Sequence, residues 1–106
     1  MPAGPKKYIW DATRRWMDPN GDGDPSDGID GWRLDVADER PAQFWAEWNA
    51  HVRKLNPLAY TSAEVWKDAK QMIADGGFSA CMNYHAFAIP VKGCLIDHHL
   101  SMSKFA

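Results

Sequence analysis

The segment Gly31-Trp32-Arg33-Leu34-Asp35-Val36-Ala37 reads as a β-strand. In an extended chain successive side chains point to opposite faces. Trp32, Leu34 and Val36 therefore share one face, and Arg33 and Asp35 share the other. Upstream lies a loop dense in Gly, Asp and Pro, from Asn20 to Asp30. Before it, Ile9, Ala12, Trp16 and Met17 fall at helical spacing, so Tyr8 to Met17 reads as a helix that Asp18-Pro19 ends. Downstream, Pro41 suits the first position of a helix. That helix runs to Leu55, with Phe44, Trp45, Trp48, Val52 and Leu55 as its apolar stripe.

The pattern then repeats. Ala59 to Val65 reads as a second strand, Lys67 to Ala74 as a short helix closed by Gly76-Gly77, and Phe78 to Tyr84 as a third strand. Phe87 to Ile96 is apolar on nearly every side and reads as a buried helix with Pro90 near its start. Asp97 to Ala106 reads as a loop and the first residues of another helix. Helices alternating with strands imply an α/β fold with parallel strands joined by right-handed crossovers.

Composition excludes several classes. The chain has 106 residues and a net charge of −2, with acidic and basic residues interspersed. A nucleic-acid partner would call for a basic stripe, which is absent. No apolar run approaches the roughly 20 residues of a membrane-spanning helix, so a membrane partner is not expected. Cys81 and Cys94 make no disulfide framework and read as two buried thiols. The six tryptophans are an excess that fits either a dense aromatic core or a surface that stacks on flat ligands.

The chemistry-bearing residues are Asp35 and Glu64. Each lies toward the C-terminal end of its strand, and one βαβ unit makes those strands neighbours about 4.8 Å apart. Carboxyl groups on adjacent strand ends can approach to about 5–5.5 Å, the separation used by retaining glycosidases. Arg33, on the face of Asp35, favours an ionised carboxylate there. Glu64 is flanked by Ala63 and Val65, a less polar setting that would keep it protonated. By spacing alone the same residues also suit an ordinary salt bridge at the end of a sheet.

Asp30-Gly31-Trp32-Arg33-Leu34-Asp35-Val36-Ala37 resembles the signature around the nucleophile of the alpha-amylase family of glycoside hydrolases. Ala63-Glu64-Val65-Trp66 resembles that family's acid/base motif. Met82-Asn83-Tyr84 and the loop Trp16 to Pro25 resemble its neopullulanase and cyclomaltodextrinase branch. The resemblance implies Asp35 as nucleophile, Arg33 as the arginine that orients it, and Glu64 as general acid and then base. It implies a (β/α)8 TIM barrel, with residues 1–106 as a partial catalytic domain holding strands four to six. It implies α-glucan substrates, whether starch, maltooligosaccharides or cyclodextrins, and no required cofactor. Two positions depart from the pattern: Asp38 stands in place of a common Asn, and Ala63 in place of Gly. A third carboxylate and further histidines would come from the rest of the barrel. The chain is therefore expected to be a fragment that is inactive alone. A transglycosylase of the same family shares these residues.

Three substrate contacts are expected. Trp66 and Tyr84 are candidate platforms for sugar rings, and His85, at the predicted end of the third strand, a candidate hydrogen-bonding group. Trp10, Trp16, Trp45 and Trp48 lie on helices and read as core. Separately, Asp18, Asn20, Asp22 and Asp24 alternate as in the first half of a calcium loop, with Gly23 at its sixth position. Ile29 stands where the bidentate glutamate would be. Calcium is thus a possible ligand, and a calcium-binding module is the alternative from another class.

Overall fold

The computed structural model describes residues 3–105. Three strands, β1 (Gly31–Leu34), β2 (Tyr60–Ala63) and β3 (Ala80–Cys81), form one sheet in that order, all parallel. Helix α1 (Ala3–Met17) precedes the sheet, α2 (Ala42–Leu55) links β1 to β2, and α3 (Lys70–Gly76) links β2 to β3. Helices α4 (Ile89–Leu95) and α5 (Met102–Phe105) follow. Among the described residues no helix is long and apolar enough to cross a membrane.

The order of elements is the one the sequence pattern predicts, and the bounds differ for identifiable reasons. Strand β1 stops at Leu34 because Val36 adopts left-handed backbone angles, φ 44° and ψ 52°. Asp35 therefore stands in the turn beyond the strand. Strand β3 is only two residues long. After it Asn83 caps a single π-helical turn over Tyr84–Ala88, its side chain accepting a hydrogen bond from the Ala86 amide. Helix α1 begins at Ala3, five residues early, because Pro5 falls in the first turn, where the missing N–H has no partner to lose. Helix α3 begins three residues late, after Asp68 accepts the Lys70 amide in a turn.

The helices cover one face of the sheet. Met17, Trp45, Trp48, Val52, Ala63, Val65 and Phe78 form the buried cluster, with Trp32 and Leu34 packed against it. Trp45 and Trp48 meet edge to face at 5.8 Å, and Trp48 meets Trp32 the same way at 5.9 Å. The polar ends of Trp45 and Trp48 are satisfied, while the buried Trp32 indole N–H finds no partner among the described residues. The Trp45 indole N–H donates to the Ala37 carbonyl at 2.6 Å, and that of Trp48 to the Thr13 hydroxyl at 2.9 Å. The aromatic excess is thus mostly core, as rings with a hydrogen-bonded edge can be.

Trp16 departs from this. It is 61% exposed, because Thr13 and Met17 occupy the inward face of α1 and turn Trp16 outward. The segment after β3 departs as well. It is helical as predicted, but Phe87, Ile89, Leu95 and Ile96 are all exposed and only Gly93 and Cys94 are buried in α4. Its apolar surface meets no packing layer among the described residues. Cys81 is half-buried rather than buried.

Candidate functional site

Parallel pairing sets the site. Leu34 is in register with Ala63, so Asp35 and Glu64 are the next residues beyond a matched pair of strand ends. The ladder continues past the strands: the Glu64 amide donates to the Leu34 carbonyl at 2.9 Å, and the Ala37 amide donates to the Glu64 carbonyl at 3.0 Å. Alternation puts Arg33, Asp35 and Glu64 on the face opposite the helices.

Arg33 joins the two acids. One terminal nitrogen pairs with Asp35, and the other lies 2.9 Å from Glu64 Oε2. Its Nε lies 3.5 Å from Met82 Sδ, beyond the end of β3. The guanidinium is thereby held above its ordinary pKa, chiefly by its hydrogen bond to Asp35, against an opposing effect of burial and with a smaller contribution from the Glu64 charge. The acids differ in access. The Asp35 side chain is 74% exposed and that of Glu64 only 10%. The setting of Glu64 is not the less polar one expected from its neighbours in sequence. Besides Arg33, its Oε2 accepts the Val36 amide at 3.0 Å. Side chains adjacent in sequence point away from it, and the groups that touch it come from the neighbouring strand.

Trp66 and Tyr84 come together, face to face at 3.8 Å with 13° between their planes. Each covers one face of the other, so they form a single two-layer stack rather than two separate platforms. Trp66 remains exposed, leaving its outer face open. His85 is exposed on the π-turn. It lines a cavity with Ile73, Cys81 and Asn83, and among the described residues it bonds to neither acid.

Sequence reasoning missed two features. Val36 was read as an ordinary strand residue. Asp38 and Lys67 each follow an acid by three positions, and their side chains pair at 2.9 Å, bridging the turns after β1 and β2. The equal offset was visible in the sequence, and the parallel register turns it into a contact.

The loop from Asp18 to Asp24 is built differently from a cation cage. Asp18 accepts the Gly21 and Gly23 amides, Asn20 the Asp22 amide, Asp22 the Asp24 amide and Asp24 the Ser26 amide, at 2.8–3.1 Å. The oxygens are spent on the loop's own N–H groups. Among the described residues no group of three or more His, Cys, Asp or Glu side chains is placed to hold a metal ion. Among the described residues these four side chains brace the loop, and no cation cage is formed.

No family model matches the chain. Neopullulanase 2 of Thermoactinomyces vulgaris is 42% identical to it over 79 residues, 74% of this chain and 12% of that protein. A cyclomaltodextrinase from a Bacillus species is 40% identical over 101 residues, 95% of this chain and 17% of that protein. The solved structure of cyclic alpha-maltosyl-(1→6)-maltose hydrolase from Arthrobacter globiformis, in complex with that cyclic sugar, superposes with a TM-score of 0.84 at 27% identity. The superposition covers 99% of this chain and 22% of the other. The chain thus spans less than a quarter of the length of each of these proteins. Over most of its own length it is homologous to one section of neopullulanases and cyclomaltodextrinases, which places it with the alpha-amylase family of glycoside hydrolases.

Proposed function

We propose that residues 1–106 supply the nucleophile and the acid/base to a retaining glycosidase acting on α-glucans or cyclic maltooligosaccharides. In this reading β1, β2 and β3 are the fourth, fifth and sixth strands of a (β/α)8 barrel, and the rest of the barrel supplies the remaining site residues. The observation that carries the proposal is Arg33 touching both carboxylates at the C-terminal ends of adjacent parallel strands, where such sheets place their chemistry. The named activities of the related proteins support the substrate class.

The Asp35 carboxylate attacks the anomeric carbon while Glu64 gives a proton to the departing glycosidic oxygen. Water then attacks the glycosyl–enzyme ester, with Glu64 taking its proton. Arg33 keeps Asp35 aimed. The open face of the Trp66–Tyr84 stack receives a sugar ring, and His85 stands at the margin. No step uses calcium. A calcium titration that raised the thermal midpoint would restore the loop as a metal site.

The test is trapping in the full-length enzyme that carries this section. A fluorinated maltosyl fluoride should leave a glycosyl adduct on the peptide containing Asp35, seen by mass spectrometry. Asp35→Asn should abolish turnover without unfolding the protein. A label on another residue, or normal turnover by the variant, would sink the assignment.

A further inference from the structure

We infer that the backbone amide of Val36 is a positioning group for the acid/base, fixing Glu64 by its Oε2 so that Oε1 carries the proton transferred to the leaving sugar. This rests on the assignment of Glu64 as the acid.

The first observation is strain. Val36 is a β-branched residue at φ 44°, ψ 52°, a left-handed conformation that such side chains avoid. Residues held in that way persist where the surroundings over-determine them, and they cluster at working sites. The side chain does not explain the conformation, since it is 40% exposed and outside the buried cluster.

The second observation is what the conformation accomplishes. Around the left-handed turn two successive amides reach one residue of the neighbouring strand. The Val36 N–H reaches Glu64 Oε2 at 3.0 Å, and the Ala37 N–H reaches the Glu64 carbonyl at 3.0 Å. With an ordinary extended Val36 the strand would continue, and the Ala37 amide would be directed elsewhere.

The third observation is the asymmetry of the carboxylate. Oε2 accepts the Val36 amide and forms an ion pair with Arg33 Nη2 at 2.9 Å. Among the described residues nothing bonds Oε1, and it is not among the sealed polar atoms lacking a partner, so it meets solvent. The amide N–H and the guanidinium charge both lie at Oε2, so the carboxyl proton belongs on Oε1. In the glycosylation step the Oε1–H bond breaks as a bond forms from hydrogen to the glycosidic oxygen. The leaving sugar departs with its electron pair, and an Asp35 oxygen bonds to the anomeric carbon.

The experiment deletes one N–H. In the full-length enzyme, Val36 is replaced by its α-hydroxy acid through nonsense suppression, turning the amide into an ester that keeps the side chain. Turnover is compared on maltotetraose, whose leaving group needs a proton, and on α-maltosyl fluoride, whose leaving group does not. The ester should lower kcat on maltotetraose by about 10- to 100-fold, the scale of a hydrogen bond to a charged group, with KM and the fluoride kcat little changed. Val36→Gly keeps the N–H and tolerates the left-handed angles, so it should preserve the ratio of the two kcat values. An equal loss on both substrates, or a ratio that collapses in Val36→Gly, would overturn the role of the amide. Glu64→Gln is the control for the assignment beneath it. If that variant still cleaves maltotetraose at the normal rate, Glu64 is not the acid, whatever the ester does.

Discussion

Arg33 is a single side chain on which both acids depend. A lysine there would keep the charge but lose the planar fork that reaches two carboxylates at once. Arg33→Lys in the full-length enzyme is therefore expected to reduce kcat by about a hundredfold, the cost of a misplaced reacting group. Steady-state kinetics and the rate of fluorosugar trapping check this together, because both should fall. His51 offers a separate prediction about stability. It lies against the Trp10 ring, and burial pushes its pKa below the ordinary value, partly offset by its contact with the Trp10 carbonyl. The folded state thus holds fewer protons there than the unfolded chain. Stability should be constant above a pH of about 6.5 and fall as the pH drops below it. Denaturation at several pH values measures the slope, and His51→Gln should flatten it. At this scale the juxtaposition of Arg33, Asp35 and Glu64 was legible in the sequence, because alternation and strand position are local properties. It did not reveal Val36, whose preference as a β-branched residue opposes the angles it adopts.

Among elements, the junction of β1 and β2 is the closest contact in the sheet. A Cβ on Gly31 would sit 2.2 Å from the Tyr60 carbonyl oxygen, so no side chain fits without moving backbone. Gly31→Ala is expected to destabilise the fold by about 1–3 kcal/mol, read as a lower denaturation midpoint. Helix α2 holds α3 by a different device. The buried Asn49 donates to the Gly76 carbonyl at 2.8 Å, and Arg53 donates to the Gly77 carbonyl at 2.8 Å. Removing the amide in Asn49→Ala should cost about 1–3 kcal/mol, with α3 losing amide-exchange protection first. Between the turns, the hydrogen bond from Lys67 holds the Asp38 carboxyl below its ordinary pKa. Its contribution is therefore present above a pH of about 3.9 and lost as the pH falls further. The kinds and order of elements were legible because each apolar stripe repeats at its own period. The ends were not, since they are set by contacts between elements, such as the left-handed turn at Val36 and the cap from Asn83. The Asp38–Lys67 pair was hidden for the same reason.

The whole molecule is a slab with helices on one side. Its radius of gyration is 17.1 Å, against about 13 Å for a compact domain of 100 residues. Among the described residues the Arg33 face of the sheet has no second layer, and Ile89 and Leu95 of α4 lie in the open. The isolated 106-residue chain is expected to release no reducing sugar from maltooligosaccharides and to bind a hydrophobic dye. Sugar release from the purified chain would contradict the division of labour proposed here. The exposure of Phe87 to Ile96 could not be read from the sequence, because an apolar run announces burial without naming what buries it. The in-step pairing of β1 and β2 also constrains the kinds of genetic change this region tolerates. Lengthening α2 by a full turn moves its far end outward and leaves the strand ends level. Deleting one residue between Asn56 and Tyr60 would instead advance β2 by a single position and turn Glu64 toward the tryptophans. Variation by insertion and deletion should accordingly be common in the helix and absent from the four residues that lead into the strand.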